Sequence, residues 1–292
     1  MMKRVGLSVM ALAVVVLPAM AQQKLDERRP ASKDGVVEVQ NVSGSVKVTG
    51  WDRDEVAVTG TLGRGSERLE FTGTGVRTEV RVVLPHFAHH VDGSDLEIKV
   101  PAGSRVEVNT VSADIGVDEV AGPVRLESVS GRVTVGGAPR EFEAKTVSGG
   151  IEIAAAGAPG RASSVSGAVA LKGVNGSVEA SSVSGAVSVT GDAVSRAELQ
   201  TTSGDIRFEG GLASGGRLDA KTVSGSVVLL LPAATAADFD VTTFSGNITN
   251  EFGPQAKRTS EYGPGKELSF STGAGGRIVA KSFSGDVRLQ KR

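Results

Sequence analysis

Apolar residues recur along this chain in pairs split by one other residue, as in Ile115-Gly116-Val117, Val133-Thr134-Val135, Ile151-Glu152-Ile153 and Val187-Ser188-Val189. Alternation with period two marks a short strand with one buried face. Each pair lies three and five residues after a serine. A second pair lies six and four residues before that serine, as in Val106 and Val108, Val124 and Leu126, Phe142 and Ala144, Val178 and Ala180, and Leu218 and Ala220. The pattern predicts two strands per repeat. Inward positions have even offsets in the first strand and odd offsets in the second, so the phase slips between them and the chain turns a corner near the serine.

The serine belongs to a recurring Val-Ser-Gly motif or a close relative, at positions 43, 112, 130, 148, 166, 184, 203, 224, 245 and 284. From Ser112 to Ser245 the steps are 18, 18, 18, 18, 19, 21 and 21 residues. Such a near-fixed period is the signature of stacked repeats. A β-solenoid with coils of 18 to 21 residues follows, its apolar columns merging into one core. From Ser112 onward the residue two before the serine is always a hydroxyl, such as Thr110, Ser128 and Thr146, and a glycine follows the serine except at Ala113. Glycine there suits a tight bend. The motif serines read as structural, because a serine nucleophile needs an adjacent base and all three histidines lie outside the regular repeat.

Several segments depart from the period. Lys3 and Arg4, the apolar stretch from Val5 to Met20 and Ala19-Met20-Ala21 have the form of a signal peptide over residues 1–21. The charge-rich segment 22–34 reads as a flexible leader. Between 35 and 104 the strands are longer, which suggests an N-terminal β subdomain or irregular cap on a solenoid spanning 105–292. A polar segment at 253–265, with Pro254 and Pro264, reads as a loop insertion. The apolar stretch at the start is too short for a spanning helix and nothing later is a candidate, so no membrane span is expected after cleavage. The chain has no cysteine, which excludes a disulfide framework and a lipid-modified cysteine. Its net charge of −1 becomes −3 without Lys3 and Arg4, which argues against nucleic acid as a partner.

The stretch Val-Glu-Val-Gln-Asn-Val-Ser-Gly-Ser-Val-Lys-Val at 37–48, followed by Gly50-Trp51-Asp52, the Val83-Leu84-Pro85 step and the Thr-Val-Ser-Gly repeats resemble the bacterial putative-adhesin family of domains of unknown function. The resemblance covers roughly 35–292. It implies an exported, right-handed β-helical domain and says little about chemistry, since fold does not imply function.

The outward column five residues before the motif serine reads Glu107, Arg125, Glu143, Arg161, Glu179, Glu198, Asp219 and Asp240. Its last four members would stack carboxylates in successive coils roughly 5 Å apart, where like charges destabilise. A cation or a basic partner surface would relieve that repulsion. The ladder Glu179, Glu198, Asp219 and Asp240 is therefore the candidate binding site. Glu179 and Glu198 also have the spacing of a retaining glycosidase pair, so a polysaccharide lyase or hydrolase is the alternative reading. A smooth ladder offers little to separate the two pKa values, and the chain holds one Trp and one Tyr to supply sugar platforms. His86, His89 and His90 with Asp92 and Asp95 match no established metal spacing. The reading is a non-enzymatic, exported module of the periplasm or cell surface, with no catalytic residue, metal or cofactor. An envelope protein or polysaccharide is its candidate partner, and its oligomeric state is open.

Overall fold

Period-two alternation becomes short strands that pair with their counterparts one repeat away. The computed structural model describes residues 23–86, 91–155 and 157–292. At its N-terminal end lie β1 (Gln23–Pro30), β2 (Val36–Asn41), β3 (Gly44–Trp51), β4 (Glu55–Leu62), β5 (Arg68–Gly73), β6 (Arg77–Val83) and β7 (Ser94–Pro101). The first regular repeats supply β8 (Arg105–Thr110), β9 (Asp114–Asp118), β10 (Val124–Ser128), β11 (Val133–Val135), β12 (Phe142–Thr146) and β13 (Ile151–Ala154). Next come β14 (Gly160–Ser164), β15 (Val169–Lys172), β16 (Gly176–Ser182), the long β17 (Val187–Thr201) and β18 (Ile206–Ser224), and β19 (Val227–Leu231). The C-terminal part adds β20 (Asp238–Ser245), β21 (Ile248–Asn250), β22 (Lys257–Arg258), β23 (Lys266–Ser271), β24 (Arg277–Ser284) and β25 (Val287–Lys291). All 25 join one sheet network, and the described residues contain no helix. The chain is all-β.

In the middle, parallel pairing follows the repeat. Val106, Val124 and Phe142 are register partners on β8, β10 and β12, and Ile115, Val133, Ile151, Val169 and Val187 on β9, β11, β13, β15 and β17. These side chains are all buried, as the alternation predicts. Each contributes roughly 1.5 to 3 kcal/mol through burial before entropy is subtracted. Where one layer bulges inward its neighbour yields. Gly160 is the register partner of Phe142, and a side chain there would collide with the Phe142 ring.

At both ends the spatial order departs from the chain order. The first motif repeat, β2 and β3, pairs in parallel with β8 and β9 on one side and with β6 and β7 on the other. The last motif repeat, β24 and β25, lies between β18 with β19 and β20 with β21. The Ser284 layer is thus intercalated between the Ser224 and Ser245 layers. Antiparallel strands cover the outer layers: β5 on β6, β4 on β7, β1 on β4, and β23 on β20 with β22 beyond it. Capping of this kind blunts sheet edges that would otherwise template association.

The charge-rich segment read as a flexible leader is corrected by this pairing. Residues 23–30 form β1, held to β4 over eight register pairs although only Leu25 in it is a buried apolar side chain. Backbone pairing, not an apolar face, orders it. The region 35–104 shares its sheet with the repeats through β2 and β3. The segment 253–265 is irregular apart from β22, and the proposed signal peptide at 1–21 lies outside the described residues.

Candidate functional site

The motif polar groups are used within the stack. From Ser128 to Thr201 the buried hydroxyl two residues before the motif serine accepts the N–H of the motif glycine of its own repeat. Gly131 N–H donates to Ser128 Oγ at 2.9 Å, Gly149 to Thr146 Oγ1 at 3.0 Å and Gly167 to Ser164 Oγ at 2.8 Å. The same hydroxyl donates to the glycine carbonyl one layer away, as Ser182 Oγ does to Gly167 O at 3.0 Å and Thr222 Oγ1 to Gly204 O at 3.1 Å. The corner therefore contains a hydrogen-bonded ladder of buried hydroxyls, and this is why Ser or Thr recurs there. A side chain on Gly149 would collide with the Gly131 carbonyl oxygen, which fixes glycine at the bend. Asp114, Asp205 and Asp286 share one offset, and each accepts a backbone N–H of the next layer, from Arg132, Ser226 and Asn247. The accepted Asn247 N–H, aided by Arg288, holds the Asp286 carboxyl below its usual range.

The acidic column is only partly assembled. Glu179, Glu198 and Asp219 are register partners on neighbouring strands. Asp240 does not join them, because the intercalated β24 places Val279 between Asp219 and Asp240. This corrects the expectation of four successive carboxylates, which assumed that spatial order follows chain order. Each member also has a guanidinium beside it. Arg161 lies 3.8 Å from Glu179, Arg196 3.6 Å from Glu198, and Arg277 4.0 Å from Asp240. Arg217 grips Asp219 at 2.5 and 3.1 Å and so lowers its pKa. Among the described residues no group of three or more His, Asp or Glu is arranged to hold a metal ion.

Beside the histidine segment, both acidic residues are engaged by other side chains. Asp92 pairs with Arg64 at 2.6 Å and Asp95 accepts from Ser45 Oγ at 2.7 Å. His89 and His90 lie outside the described residues.

Two surface features were not singled out by the sequence reading. One is a groove of about 620 Å³ on the outward face of β3, β9, β11 and β13. It exists because Gly116 stands in a column otherwise filled by its partners Lys47 and Thr134. A Cβ on Gly116 would meet only Thr134 Oγ1, at 3.5 Å, so the space is open. Lys47, Arg132, Asp118 and Glu152 rim it, and neither Lys47 nor Arg132 forms an ion pair among the described residues.

The other is an apolar ridge. The residue before each motif serine points outward, and in spatial order the ridge reads Val42, Val111, Val129, Val147, Val165, Val183, Thr202, Val223, Phe283 and Phe244. Its nine apolar members are 37% to 56% exposed. The two phenyl rings stack with centroids 4.8 Å apart. At the far end, beside Val42 and Val111, a hollow of about 400 Å³ is lined by Val82, Val83, Leu84 and Asn41. The Asn41 side-chain oxygen there is buried without a partner.

The Toastrack DUF4097 family model matches residues 92–290. The chain belongs to that family. The family resemblance read from the Val-Ser-Gly repeats is thereby shown. Among solved structures, the Toastrack chain is similar to a putative adhesin from Bacteroides fragilis, at 10% identity over 94% of this chain and 99% of the other with a TM-score of 0.46. It is also similar to a putative lipid binding protein from Parabacteroides distasonis, at 12% identity over 91% and 96% with a TM-score of 0.41. Neither likeness carries a functional argument. No curated protein matches the chain. What the Toastrack repeats do chemically is thus to be argued from their own surfaces.

Proposed function

We propose that this Toastrack chain is an exported, non-catalytic β-solenoid with right-handed coils of 18 to 21 residues, serving as an adhesin-like binding module of the cell envelope. The coil reading is supported by parallel partners 18 residues apart, such as Val133 with Ile151. The groove over Gly116 is the observation that carries the binding role. It offers two cations, Lys47 and Arg132, that form no ion pair among the described residues, beside Asp118, Glu152 and the Thr134 hydroxyl on a rigid floor of paired strands. Such mixed polar groups suit a hydroxylated, partly anionic polymer of the envelope, held by charge-assisted hydrogen bonds.

Gly116→Val fills the groove without straining the fold, and Lys47→Glu with Arg132→Glu inverts its cations. Retention of envelope polysaccharide on immobilised protein should fall at least tenfold in both. The variant carrying Glu179→Gln, Glu198→Gln, Asp219→Asn and Asp240→Asn should retain it. Equal retention by all three variants overturns the groove, loss only in the fourfold variant returns the role to the acidic column, and release of new reducing ends by wild type overturns the non-catalytic reading.

A further inference from the structure

We infer that the apolar ridge is a self-association surface on which a second copy of this chain packs antiparallel. Apolar patches larger than a few hundred Å² are uncommon on monomers and mark interaction sites. Here nine apolar side chains stand in one line, each at least 37% exposed, with small serines beside them. Ten layers at about 4.8 Å per strand give a ridge about 43 Å long. A partner whose contacts repeat at another spacing falls out of step along that length, whereas a second copy has the same period throughout.

Charge and shape select the antiparallel arrangement. Its two-fold axis passes between the Val165 and Val183 layers, and each layer meets the one equidistant from that point. The outward column two residues before the ridge then meets the same column of the other copy on the same side. Glu127, in the Val129 layer, lies opposite Lys221 in the Val223 layer. Lys145 meets Gln200 and Lys281 meets Asn109, so no like charges oppose in this column. Lys221 forms no ion pair among the described residues, and Glu127 is held by Arg125 at 2.9 Å. On the other flank Asp114 faces Asp286, and each already accepts a backbone N–H of its own chain. The same axis brings the proud Phe244 and Phe283 pair of one copy to the hollow beside Val42 and Val111 of the other. The bulky end of the ridge meets its concave end, twice, as a self-complementary interface requires.

Sedimentation equilibrium of the purified full chain tests this. Wild type should be a dimer. Val147→Glu, Val165→Glu and Val183→Glu combined should give a monomer whose melting temperature matches wild type, because all three sites are exposed. Glu127→Lys alone and Lys221→Glu alone should each weaken the dimer at least tenfold, and the two together should restore it to within threefold. The charge variants test the register even if the triple variant fails to fold. A wild-type chain that stays monomeric up to its solubility limit, a folded triple variant that still dimerises, or charge variants that neither weaken nor restore association would each overturn the inference.

Discussion

The middle of this molecule and its two ends are built from the same repeat and assembled by different rules. From Ser112 to Ser224 each layer pairs with its neighbours in sequence, as Val133 does with Ile115 and Ile151. At the ends the partners are distant. Leu218 pairs with Ile278, and Val37 pairs with both Thr78 and Val106. The repeat template decides which residues face inward, but hydrogen-bonding edges are interchangeable among layers that share it. A strand of the right pattern is accepted wherever an edge is open. In this chain that places the first and last motif layers one step inside the stack, under caps made of intervening sequence.

The sharpest way to break the comparison is truncation. In a linear array, loss of a terminal repeat frays one end, since each repeat contacts only its neighbours. Removing residues 277–292 here would withdraw the layer between Ser224 and Ser245. We expect amide protection to collapse across 218–250 while persisting across 124–189, read by hydrogen exchange. Fraying limited to the new end would mean that β18 and β20 can pair directly.

A smaller effect should be uniform along the stack. Thr146→Val leaves the buried Gly149 N–H without its acceptor, at a cost of about 1 to 3 kcal/mol. Ser282→Ala removes the hydroxyl by which the intercalated layer donates to the Gly225 carbonyl of the Ser224 layer, and should cost a comparable amount. Melting curves that separate the two by more than a factor of three would show that the end layers rest on different bonds.

The gentlest probe is acid. Asp286 and Asp219 have lowered folded-state pKa values, Asp286 chiefly through the Asn247 N–H and Asp219 chiefly through Arg217. A carboxyl depressed by folding contributes stability above its unfolded pKa and loses it as pH falls through the folded value. The melting temperature should therefore decline below about pH 4, and Asp286→Asn should flatten part of that decline. A mutant with the wild-type acid slope would remove Asp286 from the balance.

The buried columns were legible because alternation and a fixed offset specify facing without reference to layer order. Val106, Leu126, Ile151 and Phe208 all lie where their offsets place them. The ridge was legible in principle. Val129 falls on the outward side of the parity slip, but its apolar character draws attention to the core. The acidic column misled at Asp240, since adjacency was taken from chain order and β24 intervenes. Nothing in the pattern of β1 could reveal it, because its order comes from main-chain pairing with β4. The groove over Gly116 escaped notice because a missing side chain leaves no mark of its own in the sequence.

Intercalation also bears on the order of folding. Neighbours in the middle close loops of 18 residues, whereas β18 finds β24 across 60, from Leu218 to Ile278. Loop closure costs grow with separation and contacts between distant segments form late. During synthesis the middle layers can zip as they emerge, while the slot between Ser224 and Ser245 stays open until residues 277–291 arrive. Completion of that end is then a timing signal: the stack closes only after residues 277–291 have been delivered.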